Sequence, residues 1–133
     1  MPSLPKDLLD AAAAVIKNTY SPYSNFPVAA AIRSNNGEIF ACCNVENAAF
    51  PLGICAESGA ISCMVATGER EITEALILVS DKKICPPCGA CRQRLLEFAS
   101  PELVVHLCTI DGQHAQYTLN ELLPVAFGPK NLE

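Results

Sequence analysis

Charge is scarce in this chain. Only 17% of its 133 residues are Asp, Glu, Lys or Arg, and nine basic residues face fourteen acidic ones, for a formal net charge of −5. Proteins that grip nucleic acid neutralise phosphates with clustered Lys and Arg. This balance therefore argues against a nucleic-acid partner and favours a small neutral or cationic ligand. No apolar stretch approaches the ~20 residues of a membrane span, which argues against a membrane partner as well. The opening segment MPSLPKDLLDAAAAVIKNTY has an apolar run, but Asp7 and Asp10 interrupt it before a signal-like core forms. A soluble, cytoplasmic protein is expected. Repeats, linkers and low-complexity tracts are also missing, so residues 1–133 read as a single domain. Half of the residues are hydrophobic, which excludes disorder.

Cysteine, by contrast, is abundant. The eight are Cys42, Cys43, Cys55, Cys63, Cys85, Cys88, Cys91 and Cys108. Without a secretory signal, the cluster Cys85, Cys88, Cys91 reads as metal binding before it reads as disulfides. Cys63 and Cys108 lie in apolar patterns and are expected to be small buried hydrophobes. His106 and His114 do not adjoin the cluster and receive no role, and Tyr20 and Tyr23 are read as packing.

The hydrophobic pattern predicts a helix over 4–18, with Pro5 in its first turn and Leu8, Leu9, Ala12, Val15 and Ile16 on one face. VAAAIRS and EIFACCNV, split by Asn35, Asn36 and Gly37, predict a hairpin with an Asn-Gly turn. A second helix over 55–67 ends at Gly68. EALILVS is continuously apolar, as in a strand buried on both faces. A third helix spans 90–99, stopped by Pro101, and strands flanking Asp111-Gly112 form a second hairpin before a short helical turn at NELLP. The order α-β-β-α-β-α-β-β-(α) predicts a layered α/β domain with a mixed sheet between helices.

On this reading Cys55 opens the second helix, and Cys88 and Cys91 open the third. Helix N-termini favour thiolates through the helix dipole and unpaired N–H groups. Three thiolates from two such ends suit zinc and leave its fourth tetrahedral position open, the mark of a catalytic site. Cys85-x-x-Cys88-x-x-Cys91 also permits a closed four-cysteine site with Cys55, or an iron–sulfur cluster. The cluster pattern wants a further cysteine where Leu95 stands, and places its proline after the last cysteine rather than after the first. Glu57 favours the catalytic reading, because a structural site has no use for a carboxylate beside its ligands. A metal-bound water needs a base to take its proton and an acid to return one.

Cys55-Ala56-Glu57, followed by Pro87-Cys88-Gly89-Ala90-Cys91, matches the zinc deaminase signature, with 32 residues between Cys55 and Cys88. Over nearly its whole length the chain resembles the small cytidine deaminases, through SPYSNFPVAAAI, NVEN, PCGACRQ and LLPVAFGP in the right order. The resemblance implies a three-layer α-β-α sandwich around a mixed, roughly five-stranded sheet. It also implies one Zn2+ per subunit, held by Cys55, Cys88 and Cys91, with a bound water ionised near neutral pH. Glu57 would take that proton, protonate ring N3 during attack at C4, and pass a proton to the departing amino group. Cytidine or deoxycytidine would leave as the uracil nucleoside plus ammonia, a pyrimidine-salvage reaction. The backbone of Ala56 and Cys88 would orient the base, Asn44 and Glu46 would bind the sugar 3′-hydroxyl, and Phe26 would pack near the pyrimidine. Ala48 and Phe127 match positions that complete a neighbouring subunit's site, implying a homotetramer with shared active sites. Cys85 is then a bystander.

The chain departs from that family in three places. Many members carry arginine where Ser58 stands, so the charge left by three thiolates on a divalent ion needs another source. The helix N-termini, together with Arg92 or Arg94, are the expected one. Phe50 replaces a frequent tyrosine. Ala29 replaces a common glycine, and its methyl is expected to narrow the base pocket. A blasticidin-type deaminase, acting on a modified cytosine nucleoside, fits less well with the complete Asn44–Glu46 pair and the AFGP ending. An inactive zinc-stapled interaction module would lack Glu57, and a nucleic-acid deaminase would carry a basic groove.

Overall fold

The computed structural model describes residues 4–133. Five strands form one sheet in the order β2-β1-β3-β4-β5. They are β1 (Val28–Ser34), β2 (Ile39–Cys43), β3 (Ile72–Val79), β4 (Val104–Thr109) and β5 (His114–Thr118). β3 and β4 run parallel and every other pair is antiparallel. The helices are α1 (Lys6–Ile16), α2 (Ala56–Ala66), α3 (Gly89–Phe98) and α4 (Leu119–Leu122). The mixed sheet of a layered α/β domain is therefore as expected, as is the element order.

Strand alternation sorts the core into two layers. Ala29, Ala31, Leu76, Leu78 and Cys108 face α1 and bury Leu8 and Ala12. Ala30, Ile32, Ile77, Val105 and Leu107 face the other way and bury Ala56, Ala60, Met64 and Leu95 of α2 and α3. Both faces of β3 are covered, which is why its sequence is apolar without alternation. The three alanines of β1 are fully buried. Their small side chains let helices approach the sheet from both sides. Each buried leucine contributes ~1.5–3 kcal/mol, so Leu8 alone is a substantial anchor for α1.

Several boundaries differ from expectation. α1 is shorter than 4–18, with Pro5 as its N-cap rather than in its first turn. It ends because Thr19 turns its hydroxyl to the backbone carbonyl of Asn44 (2.9 Å), drawing the chain off the helix axis. Of the Asn-Gly pair in the first hairpin only Gly37 is left-handed (φ +90°), so the loop is not the type I′ turn that needs both central residues there. Gly37 N–H donates to Ser34 O (2.9 Å), and Ser34 N–H to Glu38 O (2.8 Å). This is the three-residue loop that ends in a left-handed glycine. The Asp111-Gly112 hairpin repeats it, with Gly112 at φ +99° and Thr109 N–H donating to Gln113 O. Gly68, at φ +98°, follows α2 as expected.

Cys108 is buried as expected, but Cys63 is exposed on the outer face of α2. Tyr20 and Tyr23 are also half-exposed rather than packed, although the Tyr23 ring meets Phe50 at 5.9 Å. His106, given no role from sequence, is fully buried on β4 and donates from Nε2 to Glu74 (2.9 Å). Its Nδ1 lies 3.1 Å from Nε2 of His114, so the polar ring is paired on both sides as burial requires. Glu74 continues to Arg33, and Arg33 to Asp7 of α1. This chain of polar contacts spans the α1 face and stays clear of the cysteines.

Candidate active site

Two helix starts and one strand end build the site. Past β2, Val45 pairs with Ile54 by reciprocal backbone hydrogen bonds of 3.0 and 2.8 Å, while Tyr20 N–H donates to Asn44 O and accepts at its own carbonyl from Glu46 N–H. This short ladder pins NVEN beside the residue that precedes Cys55. Cys55 is the N-cap of α2 and Cys88 the N-cap of α3, both with extended backbone. At each, the first backbone N–H groups have no acceptor within the helix. Cys91 lies in the first turn of α3 and is fully buried.

The three Sγ atoms all lie within 4.8 Å of one another, with Cys55 and Cys88 4.0 Å apart. Tetrahedral zinc with ~2.3 Å bonds to sulfur separates its ligands by ~3.8 Å, so the triangle fits one ion. Among the described residues this is the one Cys, His, Asp or Glu group of three or more able to hold a metal. Cys85 stands outside it and donates instead to Pro86 O at 3.5 Å. The four-cysteine and iron–sulfur alternatives therefore lose their geometry. Burial drives the Cys91 thiol well above its ordinary range, and the charges of Glu57, Cys55 and Cys88 push the same way. For Cys88 burial acts upward too, but the Cys91 backbone N–H and hydrogen bonds with Cys91 and Cys55 outweigh it and leave the thiol lowered. A cation among them stabilises all three thiolates.

Glu57 sits one residue into α2 and is buried. That burial raises its carboxyl above the ordinary value, countered in part by its own backbone N–H, by Cys91 and by the charge of Arg94. It opens into a cavity of about 480 Å3 that Phe26, Asn44, Cys55, Ala56, Cys88 and Arg92 also line. An acid–base group with a raised carboxyl, beside an ion site, in a cavity of nucleoside size, is equipped to move protons during hydrolysis. A second cavity of equal volume lies near α4, lined by Leu96, Leu119, Leu123 and Val125, and lacks the thiols.

Other residues singled out from sequence are placed differently. Asn44 lines the main cavity, but its Oδ1 accepts from Val28 N–H (3.0 Å) and from the Thr19 hydroxyl, and its Nδ2 donates to Phe26 O (2.9 Å). One of its two amide N–H bonds stays available. Glu46 lines a separate cavity with Tyr23, Ser24 and Phe50. It accepts from the backbone N–H groups of Tyr23 (2.9 Å) and Ser24 (3.2 Å) and from the Ser24 hydroxyl. The Ser24 hydroxyl bond is the largest influence in holding its carboxyl below the ordinary value. Ala48 and Phe127 are exposed and line neither cavity. Ser58 and Arg94 line a fourth hollow between α2 and α3. Ala29 faces the α1 layer, on the opposite side of the sheet from Val28 and Ile77 of the cavity. The expected narrowing by its methyl therefore does not occur. The hydrophobic walls Val28, Ile77 and Val79 were not singled out from sequence, because nothing distinguishes a strand end lining a cavity from one lining a core.

The model of the cytidine and deoxycytidylate deaminase zinc-binding region matches residues 2–107. A cytidine deaminase of Mycoplasma genitalium is 40% identical over 114 residues, covering 85% of this chain and 87% of that protein. The crystal structure of cytidine deaminase from Burkholderia pseudomallei superposes with a TM-score of 0.87 at 38% identity, covering 94% of this chain and 100% of that one. The Mycobacterium leprae cytidine deaminase structure superposes with a TM-score of 0.78 at 39% identity, over 92% and 99%.

Proposed function

This chain belongs to the zinc-binding cytidine and deoxycytidylate deaminases, and we propose that it hydrolyses cytidine and deoxycytidine to uridine and deoxyuridine with release of ammonia. The observation that carries the reading is a buried Glu57 sharing one cavity with Cys55 and Cys88, whose sulfurs lie with that of buried Cys91 at the spacing of a single ion. Cys55, Cys88 and Cys91 would hold zinc, which when bound supplies Lewis-acid activation of water at neutral pH. Glu57 takes a proton from the attacking water and delivers it to ring N3. It then carries the remaining proton of that water, given up by the new C4 hydroxyl as the carbonyl forms, to the amino nitrogen, so that the C4–N bond breaks with ammonia rather than amide ion departing. Its burial suits both duties, since a raised carboxyl is a stronger base toward water and holds the proton it has taken until the return step.

Phe26 would pack on the pyrimidine and the backbone of Ala56 and Cys88 would orient it. The remaining N–H of Asn44 and the carboxylate of Glu46 would take the sugar 3′-hydroxyl. Assembly as a homotetramer with shared sites fits the exposure of Phe127 (59%), Phe50 (75%) and Leu52 (64%) together with Val45 and Ile54, large apolar side chains that further copies would cover. Residues 1–133 act as one domain on this reading, in the reducing cytoplasm that eight free thiols suit. Among the described residues no helix is long and apolar enough to cross a membrane.

The test follows the fall in ultraviolet absorbance as cytidine becomes uridine, before and after a chelator and after zinc is restored. Activity should vanish and return, and sedimentation of the loaded protein should give the tetramer mass. Undiminished turnover with all metal removed would refute the mechanism.

A further inference from the structure

We propose that Arg94, reaching back along α3 to Cys91, supplies the positive charge that balances the three-thiolate cluster of this chain. The inference rests on the zinc site described above and concerns which residue makes that site tolerable. Three thiolates around a divalent ion leave one excess negative charge, and buried Glu57 stands beside them. Cys55 and Cys88 occupy N-cap positions, where helix N–H groups offset part of their charge. Cys91 is inside the helix and fully buried, so it needs a donor from a side chain.

Arg94 Nη1 stands 3.7 Å from Cys91 Sγ. Among the described residues it is the one cationic side chain in hydrogen-bonding distance of any of the three sulfurs. Arg92, the other arginine of α3, is committed elsewhere: Nε donates to Pro87 O (2.8 Å) and Nη1 to Leu122 O (2.6 Å), tying the loop before α3 to α4. No carboxylate among the described residues pairs with Arg94. Ser58 of α2 lines the same hollow as Arg94. Its small side chain leaves that hollow open to a guanidinium approaching from α3. A hydrogen bond from a cation also withdraws electron density from sulfur, so the ion stays a stronger Lewis acid. Arg94 is thus a positioning and charge-balancing residue, acting through Cys91.

The test compares Arg94→Gln, Arg94→Lys and the double variant Arg94→Gln/Ser58→Arg with wild type, each purified with zinc. Zinc affinity is read by chelator competition. The sulfur-to-metal charge-transfer band is read after cobalt substitution. Arg94 is exposed at the surface, so these changes spare the core. Arg94→Gln should weaken zinc retention about 10–100-fold, in the range for residues supporting metal ligands, and should move the band to lower energy. Arg94→Lys should recover part of both, and Ser58→Arg in the Arg94→Gln background should recover more, because a guanidinium again faces the cluster from the same hollow. Wild-type retention and an unmoved band in Arg94→Gln would overturn the proposal. Cys88→Ser is the control for the site itself. If it keeps a full complement of zinc, the ligand assignment fails, an outcome distinct from the failure of Arg94.

Discussion

Replacing Glu57 with glutamine keeps shape and volume while removing the ability to carry a proton. Proton transfer by one positioned group contributes typically ~10²–10⁴-fold. Two features of the site put the expected loss at the top of that range. On the proposed mechanism the same carboxyl serves both proton steps, and it is only 4% exposed, so neither bulk water nor buffer can stand in for it. Glu57→Gln should therefore lower kcat by about 10⁴, equivalent to ~5.4 kcal/mol of lost transition-state stabilisation. Zinc should stay, because the three thiols are unchanged. Stability should move the other way. Burial lifts the Glu57 carboxyl above its ordinary value near 4.5, so the folded chain binds that proton more tightly than the unfolded chain. Its stability is full below pH 4.5 and declines as pH rises through the folded value. Glutamine has no such decline. With metal stripped from both proteins, the variant should match wild type in acid and melt at an equal or higher temperature at neutral pH. The assay pairs absorbance-monitored turnover with zinc analysis and thermal melts. A zinc-loaded Glu57→Gln protein with kcat within tenfold of wild type would refute the reasoning.

Two further predictions probe the frame around the site. A Cβ built on Gly59 of α2 would stand 2.5 Å from Cys42 Sγ and 3.1 Å from Cys42 Cβ. Gly59→Ala should therefore lose about 1–3 kcal/mol to overpacking, partly offset by a helix-propensity gain of about 1 kcal/mol. A chemical melt should show the net loss, and Cys42→Ala in the same chain should reverse it. The Asp7 carboxylate takes a two-pronged bond from Arg33 (2.9 and 2.8 Å), which holds its carboxyl below the usual 3.8. Its contribution is present above pH 3.8 and fades as pH falls through the folded value. Asp7 is half-exposed, so Asp7→Asn should cost under about 1 kcal/mol at neutral pH. Wild-type and variant melting temperatures should converge in acid, and a gap that persists there would contradict the pairing.

Much of the fold is legible in the residues because the signals are local. The apolar run of β3, the glycines within each hairpin loop and after α2, and the one-sided face of α1 each follow from backbone and hydrophobic periodicity. Cys55-Ala56-Glu57 and Cys88-x-x-Cys91 are legible for a similar reason, since each set sits within one helical turn. Turn type and partner choice were not legible. Whether Asn36 joins Gly37 in the left-handed region depends on the twist and register of β1 and β2. Whether His106 is polar ballast or a buried, paired ring depends on Glu74 and His114, which lie on other strands.

The division falls between chemistry and placement. The sequence by itself determined that three thiols and one carboxyl stand at the starts of two helices, because helix caps and motif spacing are set within a few residues. Only the tertiary structure decided that those two starts meet within one ion's reach. It also excluded Cys85 from the group, turned the Ala29 methyl away from the cavity and brought Arg94 rather than Arg92 to a sulfur. Each of these depends on which face of a strand or helix a side chain occupies once the layers have packed, and that is settled by contacts between residues far apart in the chain.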